Sequence, residues 1–160
     1  MEFFQYLAPT KVIFGRGTEA RTGALCKEAG ATKVLIHYGG HSAKKSGLID
    51  RICASLQAEG ISYTELGGVV PNPRLSKVYE GIELGRKEKI DFILAVGGGS
   101  VIDSAKAIGY GLTNEGDVWD YYTGKAPQAC MPIGAVLTIA AAGSEMSNAS
   151  IITNENGWVK

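Results

Sequence analysis

The chain is short of several things at once, and each shortage excludes a class of function. Its sixteen Lys and Arg residues are cancelled by sixteen Asp and Glu, leaving no formal net charge. Without a basic excess there is no electrostatic case for nucleic acid or an anionic membrane as a principal partner. No uninterrupted apolar run reaches the roughly 18 residues of a membrane span. The opening MEFFQYLAPTKVIFG lacks the basic start and apolar stretch of a signal peptide, so a cytoplasmic location is expected. Cys26, Cys53 and Cys130 show no CxxC spacing and sit among apolar neighbours, which reads as buried, reduced thiols. Only two histidines are present, His37 and His41. Two glycines stand between them, so their four-residue spacing does not place them on one helix face and a metal pair is not expected. No Ser-His-Asp set or carboxylate dyad is apparent.

Glycine is what the chain has in excess. With 22 in 160 residues, it stands at roughly twice the usual share of about 7%. Only five prolines accompany it, and the glycines gather between apolar runs, where a turn or close approach to a ligand would need them. The apolar fraction of 45%, with 20% charged residues, is that of a globular domain with a core of its own.

Strands and helices alternate along the chain. Residues 3–7 and 11–14 read as an opening β-hairpin. Thr18 can cap a helix running to about Ala29 and stopped by Gly30. Residues 33–38 (KVLIHY) form the near-continuous apolar run of a strand buried on both faces. Leu48, Ile49, Ile52, Cys53 and Leu56 recur at helical spacing before Gly60. A weaker strand covers 62–66. After Pro71-Asn72-Pro73, the residues Leu75, Val78, Ile82 and Gly85 mark a helix to about Lys89. Residues 91–96 (DFILAV) give the strongest strand signal, followed by a helix whose apolar face is Val101, Ile102, Ala105 and Ile108. Residues 110–128 read as irregular around a short helix near 118–121. A strand at 134–139, a glycine-broken turn at 140–147 and a β-run at 149–153 complete the series. The pattern predicts an α/β fold: a Rossmann-like parallel sheet with helices on both faces, preceded by the short hairpin. Ligands of such sheets bind beyond the carboxyl ends of the strands, where the glycine clusters lie.

The segment LAVGGGSVIDSAK (94–106) joins a buried strand, a turn without side chains and a helix start. Such a turn lets a diphosphate approach the main chain, and the first helical N–H groups have no internal partners. No Gly-Lys-Ser/Thr follows the glycines, which excludes a Walker P-loop. A second match, Gly15-Arg16-Gly17-Thr18-Glu19-Ala20, fits GxGxxA. It follows a hairpin strand, however, and no acidic residue ends the next strand, so it is read as a decoy.

VGGGSVIDSAKAI (96–108), with VVPNPRLSKV (69–78) before it and VLTIAAAGSEMS (136–147) after it, resembles the iron-containing (group III) alcohol dehydrogenases. The resemblance is strongest to the butanol dehydrogenase and broad aldehyde reductase branch and covers the whole chain in order. It implies that residues 1–160 are a dinucleotide-binding domain. Gly98, Gly99 and Ser100 would hold the pyrophosphate, and Asp103 would steady the turn or lie near the substrate cleft. Asn72 and Lys160 would approach the cofactor, and Thr138 its ribose or pyrophosphate. Where the family usually reads Thr-Gly-Ser-Glu this chain has Ala142 first, so a hydroxyl near the cofactor is missing unless Ser144 replaces it. NAD-preferring relatives carry an Asp seven residues before the position of Gly47. Here Gly40 stands there, with Ser42 as a donor and Lys44 and Lys45 nearby, so NADP(H) is expected, with NAD the alternative.

The resemblance also implies a divalent metal, iron or zinc, bound by an Asp and three His of a helical C-terminal domain that this chain lacks. The expected function is therefore the dinucleotide-binding half of a metal-dependent alcohol dehydrogenase or aldehyde reductase. The isolated chain is expected to bind dinucleotide weakly and not to turn over a small alcohol or aldehyde. The competing expectation is a stand-alone nucleotide-binding or sensor module without catalysis. Apolar stretches at 136–142 and Trp158 suggest a homo-oligomer.

Overall fold

The alternating periods become a four-stranded, all-parallel sheet in the computed structural model, which describes Phe3 and residues 7–160. Strands β1 (Lys33–Tyr38), β2 (Ser62–Leu66), β3 (Phe92–Gly97) and β4 (Ile133–Leu137) lie in the order β2-β1-β3-β4. The helices are α1 (Thr22–Glu28), α2 (Ser42–Lys45), α3 (Leu48–Ala58), α4 (Leu75–Glu88) and α5 (Gly99–Thr113). Because successive side chains of a strand point to opposite faces, β1 feeds two cores. Val34, Ile36 and Tyr38 pack with Ile49, Ile52 and Leu56 of α3, while Leu35 packs with Val78 and Ile82 of α4 and Ile102 and Ile108 of α5. β3 does the same with Phe92, Leu94 and Val96 on one side and Ile93 and Ala95 on the other. Full burial of each such Leu or Ile contributes about 1.5–3 kcal/mol, so the two central strands anchor both layers.

Strand order reverses between β1 and β3. From β1 the chain steps outward to β2, then α4 carries it back across β1 to β3, and α5 leads on to β4. Their registered pairing sets Tyr38 opposite Val96 and Gly97 opposite Leu137. The loops after β1, β3 and β4 therefore open at the same edge of the sheet.

Several expectations are corrected. Residues 11–14 carry no strand assignment, and residues 4–6 of the other expected hairpin arm lie outside the described residues. The expected helix from Thr18 opens as a 3-10 turn, Thr18–Arg21, before α1. The 149–153 run is not a strand; it makes an isolated bridge, Thr153 to Arg74. Residues 149–151 make polar contacts with α5, while Thr153 exchanges backbone hydrogen bonds with Pro73 and Leu75. Helix α5 runs on to Thr113, so residues 110–113, expected to be irregular, are helical, and Gly109 and Gly111 lie inside it. They serve close packing: a Cβ on Gly111 would come within 2.2 Å of Ile82 Cδ1, and one on Gly81 of α4 within 2.3 Å of Ile108 Cδ1. Cys26 and Cys53 are buried, and burial pushes the Cys26 thiol up to about 11, whereas Cys130 is exposed. Among the described residues, no helix is long and apolar enough to cross a membrane.

Candidate dinucleotide site at the strand-order switch

The best-formed ligand geometry lies where β3 runs into α5. Gly98 precedes the helix with extended backbone, and its carbonyl accepts the N–H groups of Val101 and Ile102 at 3.0 and 3.2 Å. The N–H groups of Gly99 and Ser100 are one turn too early for a helical partner. Neither has a hydrogen-bond partner among the described residues. A Cβ on Gly99 would meet no protein atom within 4 Å, so the turn presents bare main chain to open space. No acidic residue stands in the first turn of α5 to oppose an anion. The helix dipole adds about 0.3–1 kcal/mol for a nearby negative charge.

Val69, Val70, Pro71, Val101 and Ile139 wall the depression in front of Gly98–Ser100, which has a volume of about 250 Å³. Thr138 is tied to this turn through its N–H, which donates to the Gly97 carbonyl at 3.0 Å. Its side chain is exposed. Ile139 follows, and a Cβ on Gly98 would come within 2.7 Å of its Cγ2. Asn72 adopts a left-handed conformation (φ 56°) next to Pro71, and Lys160 Nζ donates to its Oδ1 at 2.6 Å. Two residues 88 positions apart, both singled out as cofactor contacts, thus meet at the rim. Gly40 and Ser42 lie exposed at the end of β1, with open space around Gly40. The Lys44 ammonium there is not free. It sits 3.1 Å from Glu65 and 5.3 Å from the centre of the Tyr38 ring.

The Asp103 carboxylate makes no hydrogen bond to the glycine turn among the described residues. It accepts the Ser144 hydroxyl at 2.6 Å and the Ile151 N–H at 3.3 Å. Ser144 is therefore committed and buried, and it does not stand in for the hydroxyl missing at Ala142. One residue that carried no expected site role proves central to the layout. Lys106 is buried, with its ammonium on Ser144 and Ala149. Its place three residues after Asp103, on the same helix face, was the one signal available in the sequence. His37 is fully buried and takes no part in the rim. Its Nδ1 donates to the Leu66 carbonyl at 2.9 Å, which leaves Nε2 to accept the Ser104 hydroxyl at 2.8 Å. Burial pushes its pKa down to about 4, so the ring is neutral at pH 7. The decoy Gly15–Gly17 follows no strand, and Gly17 only opens the 3-10 turn. No group of three or more His, Cys, Asp or Glu among the described residues could hold a metal ion.

A bare helix N-terminus at the order reversal of a parallel sheet is the signature of a nucleotide-binding α/β domain. The profile of the iron-containing alcohol dehydrogenases matches residues 9–160, and the chain belongs to that family. It is 50% identical over 164 residues to the probable NADH-dependent butanol dehydrogenase 1 of Bacillus subtilis (strain 168), covering 99% of this chain and 42% of that protein. It is 35% identical over 159 residues to the NADPH-dependent aldehyde reductase YqhD of Escherichia coli (strain K12), covering 97% of this chain and 40% of the relative. The crystal structure of NADH-dependent butanol dehydrogenase A from Thermotoga maritima superposes with a TM-score of 0.95 at 49% identity, covering 98% of this chain and 40% of that one. The chain thus spans about two fifths of the length of these relatives.

Proposed function

We propose that residues 1–160 form the nicotinamide-dinucleotide-binding half of an alcohol dehydrogenase or aldehyde reductase, in which hydride passes between the dinucleotide and a primary alcohol or aldehyde. The observation that carries this is the pair of unpartnered N–H groups, Gly99 and Ser100, opening on a depression at the switch point. The diphosphate accepts from these groups, the adenosine half runs over Gly39–Gly40, and Asn72, Thr138 and Lys160 border the cofactor. When bound, the dinucleotide would give the hydride to an aldehyde or take it from an alcohol; this chain binds and orients it. The described residues do not fit the family's metal, so no step through a metal is assigned to them.

The relatives divide between NADH-dependent and NADPH-dependent enzymes by name. Gly40 leaves room for a 2′-phosphate and offers no carboxylate to repel it. Lys44, however, is neutralised by Glu65 and adds little attraction. These two features support weak discrimination rather than the expected NADP(H) preference, the two dissociation constants lying within about tenfold, or about 1.4 kcal/mol. Calorimetric titration of NADH and NADPH into the chain tests both statements. Absence of heat with either at millimolar concentration overturns the dinucleotide assignment. A preference well beyond tenfold overturns the weak discrimination alone. The exposed Leu137, Ile139 and Trp158 support association of copies, which a mass measurement in solution would register.

A further inference from the structure

Helix α5 carries two structures on one rod. Its N-terminus presents the free N–H groups of the dinucleotide site, and its second and third turns grip the chain that leaves β4. That chain, residues 138–151, has only the 3-10 turn Ser144–Met146 as regular structure. Its course is nonetheless closely fixed. Lys106 Nζ donates to the Ser144 carbonyl at 2.7 Å, the Ser144 hydroxyl oxygen at 2.9 Å and the Ala149 carbonyl at 2.7 Å. Those three acceptors use all three ammonium protons. The Ser144 hydroxyl donates a hydrogen bond to Asp103, whose other carboxylate oxygen accepts the Ile151 N–H. Ser150 Oγ donates to the Asp103 carbonyl at 2.8 Å, and Tyr110 Oη to the Asn148 carbonyl at 2.9 Å.

A buried ammonium is costly unless it is fully partnered. Here two of its three partners are main-chain carbonyls of an irregular segment, so the lysine dictates where backbone runs. It is not the base of a Ser-Lys nucleophile. Its protons are all taken, the serine proton points at a carboxylate, and both side chains are buried.

Sheet order gives this grip a use. β3 lies between β1 and β4 in the sheet. A dinucleotide whose diphosphate rests on Gly99 and Ser100 therefore extends one half over Gly39–Gly40 and the other over the segment leaving β4. From the contact of Ile139 with Gly98, four residues lead to Gly143, where a left-handed turn (φ 75°) enters the gripped stretch. We propose that Lys106, acting through Ser144 and Asp103, is a positioning residue that holds 144–151 as the wall against the nicotinamide half of the cofactor. This rests on the dinucleotide assignment above.

The test compares two probes on the 160-residue chain: NADH, which has both halves, and ADP, which has only the adenosine half and the diphosphate. In Lys106→Met the dissociation constant for NADH should rise about tenfold, while that for ADP stays within about twofold. Ser144→Ala, which leaves both carbonyl contacts of Lys106, should shift NADH alone in the same direction by less. It decides the matter if Lys106→Met fails to fold. A merely structural role would weaken both probes in proportion, and that result, or unchanged NADH binding in a folded variant, overturns the proposal. If the unaltered chain binds neither probe, the dinucleotide assignment itself falls.

Discussion

Replacing Gly99 by alanine separates a glycine kept for a ligand from one kept for packing. Gly99 is the first residue of α5 and has no positive φ, and an added methyl would touch no protein atom within 4 Å. The substitution therefore removes only backbone freedom from the unfolded chain, which stabilises by about 0.4–1 kcal/mol where the conformation is compatible. At about 2–4 °C per kcal/mol for a chain of this size, the melting temperature should hold or rise by a few degrees. Binding should respond in the opposite sense. The methyl stands before N–H groups that would bond a diphosphate, and loss of one hydrogen bond to a charged group costs about 1.5–3 kcal/mol. The dissociation constant for NADH should therefore rise about ten- to a hundredfold. Gly23→Ala is the matched opposite. There the Cβ would lie 2.0 Å from the Ser55 carbonyl oxygen, a backbone atom of α3 that cannot swing aside. Prising α1 from α3 should cost about 3 kcal/mol, the upper end for overpacking, and lower the melting temperature by about 6–12 °C. Thermal melts followed by circular dichroism, with NADH titrations at a temperature where both variants are folded, measure the two effects. NADH binding by Gly99→Ala as tight as in the unaltered chain would refute the ligand role of the bare turn. A melting temperature lowered as far as that of Gly23→Ala would show a packing role instead.

Three other outcomes are expected. Asp91 joins β3 to the start of β1 by accepting the N–H groups of Thr32 and Lys33 and the Thr32 hydroxyl; burial works to raise its pKa, but these donors outweigh it and hold the carboxyl below its usual range. Its contribution is present above a pH of about 4 and is lost as pH falls through the folded pKa, so Asp91→Asn should lower stability at pH 7 by about 1–2 kcal/mol, and urea denaturation should show the deficit shrinking in acid. For His37 the unfolded chain, with a pKa of about 6.5, takes a proton before the folded chain does at about 4. Stability should fall by up to about 3 kcal/mol as pH drops across that window, and a melting temperature that stays flat from pH 7 to 5 would contradict this. Gly40→Asp puts a carboxylate into open space at the end of β1, so it should leave the melting temperature alone and weaken NADPH relative to NADH at least about tenfold in paired titrations.

The strands and main helices were legible because burial on a sheet and on a helix leaves different periods. KVLIHY became β1 without a residue's change, and the run at 62–66 became β2. The misjudged places share a cause. Residues 110–113 read as irregular, yet they close α5, where Gly109 and Gly111 are contact points for Cys130 and Ile82, a matter of a neighbour 29 residues earlier in the case of Ile82. Residues 149–153 have strand-like composition, but a strand needs a ladder, and here α5 takes the polar contacts of 149–151 while Thr153 alone bridges to the chain before α4. In the site, the glycine turn was visible because it is local. The use of Asp103 was not, since its partners Ser144 and Ile151 lie 41 and 48 residues away.

By itself the sequence determined the alternation of strands and helices, the bare phosphate-sized turn after β3 and the family resemblance. All of these follow from residue type and short-range spacing. Tertiary structure alone decided which chemistry remains free. It ties Lys44 to Glu65, engages Ser144 with Asp103 and Lys106, brings Lys160 to Asn72, and leaves the N–H groups of Gly99 and Ser100 without partners among the described residues. Hydrogen bonds and ion pairs act over about 3 Å of space whatever the separation in sequence, so what a polar group can offer a ligand is set by the fold that brings its neighbours to it.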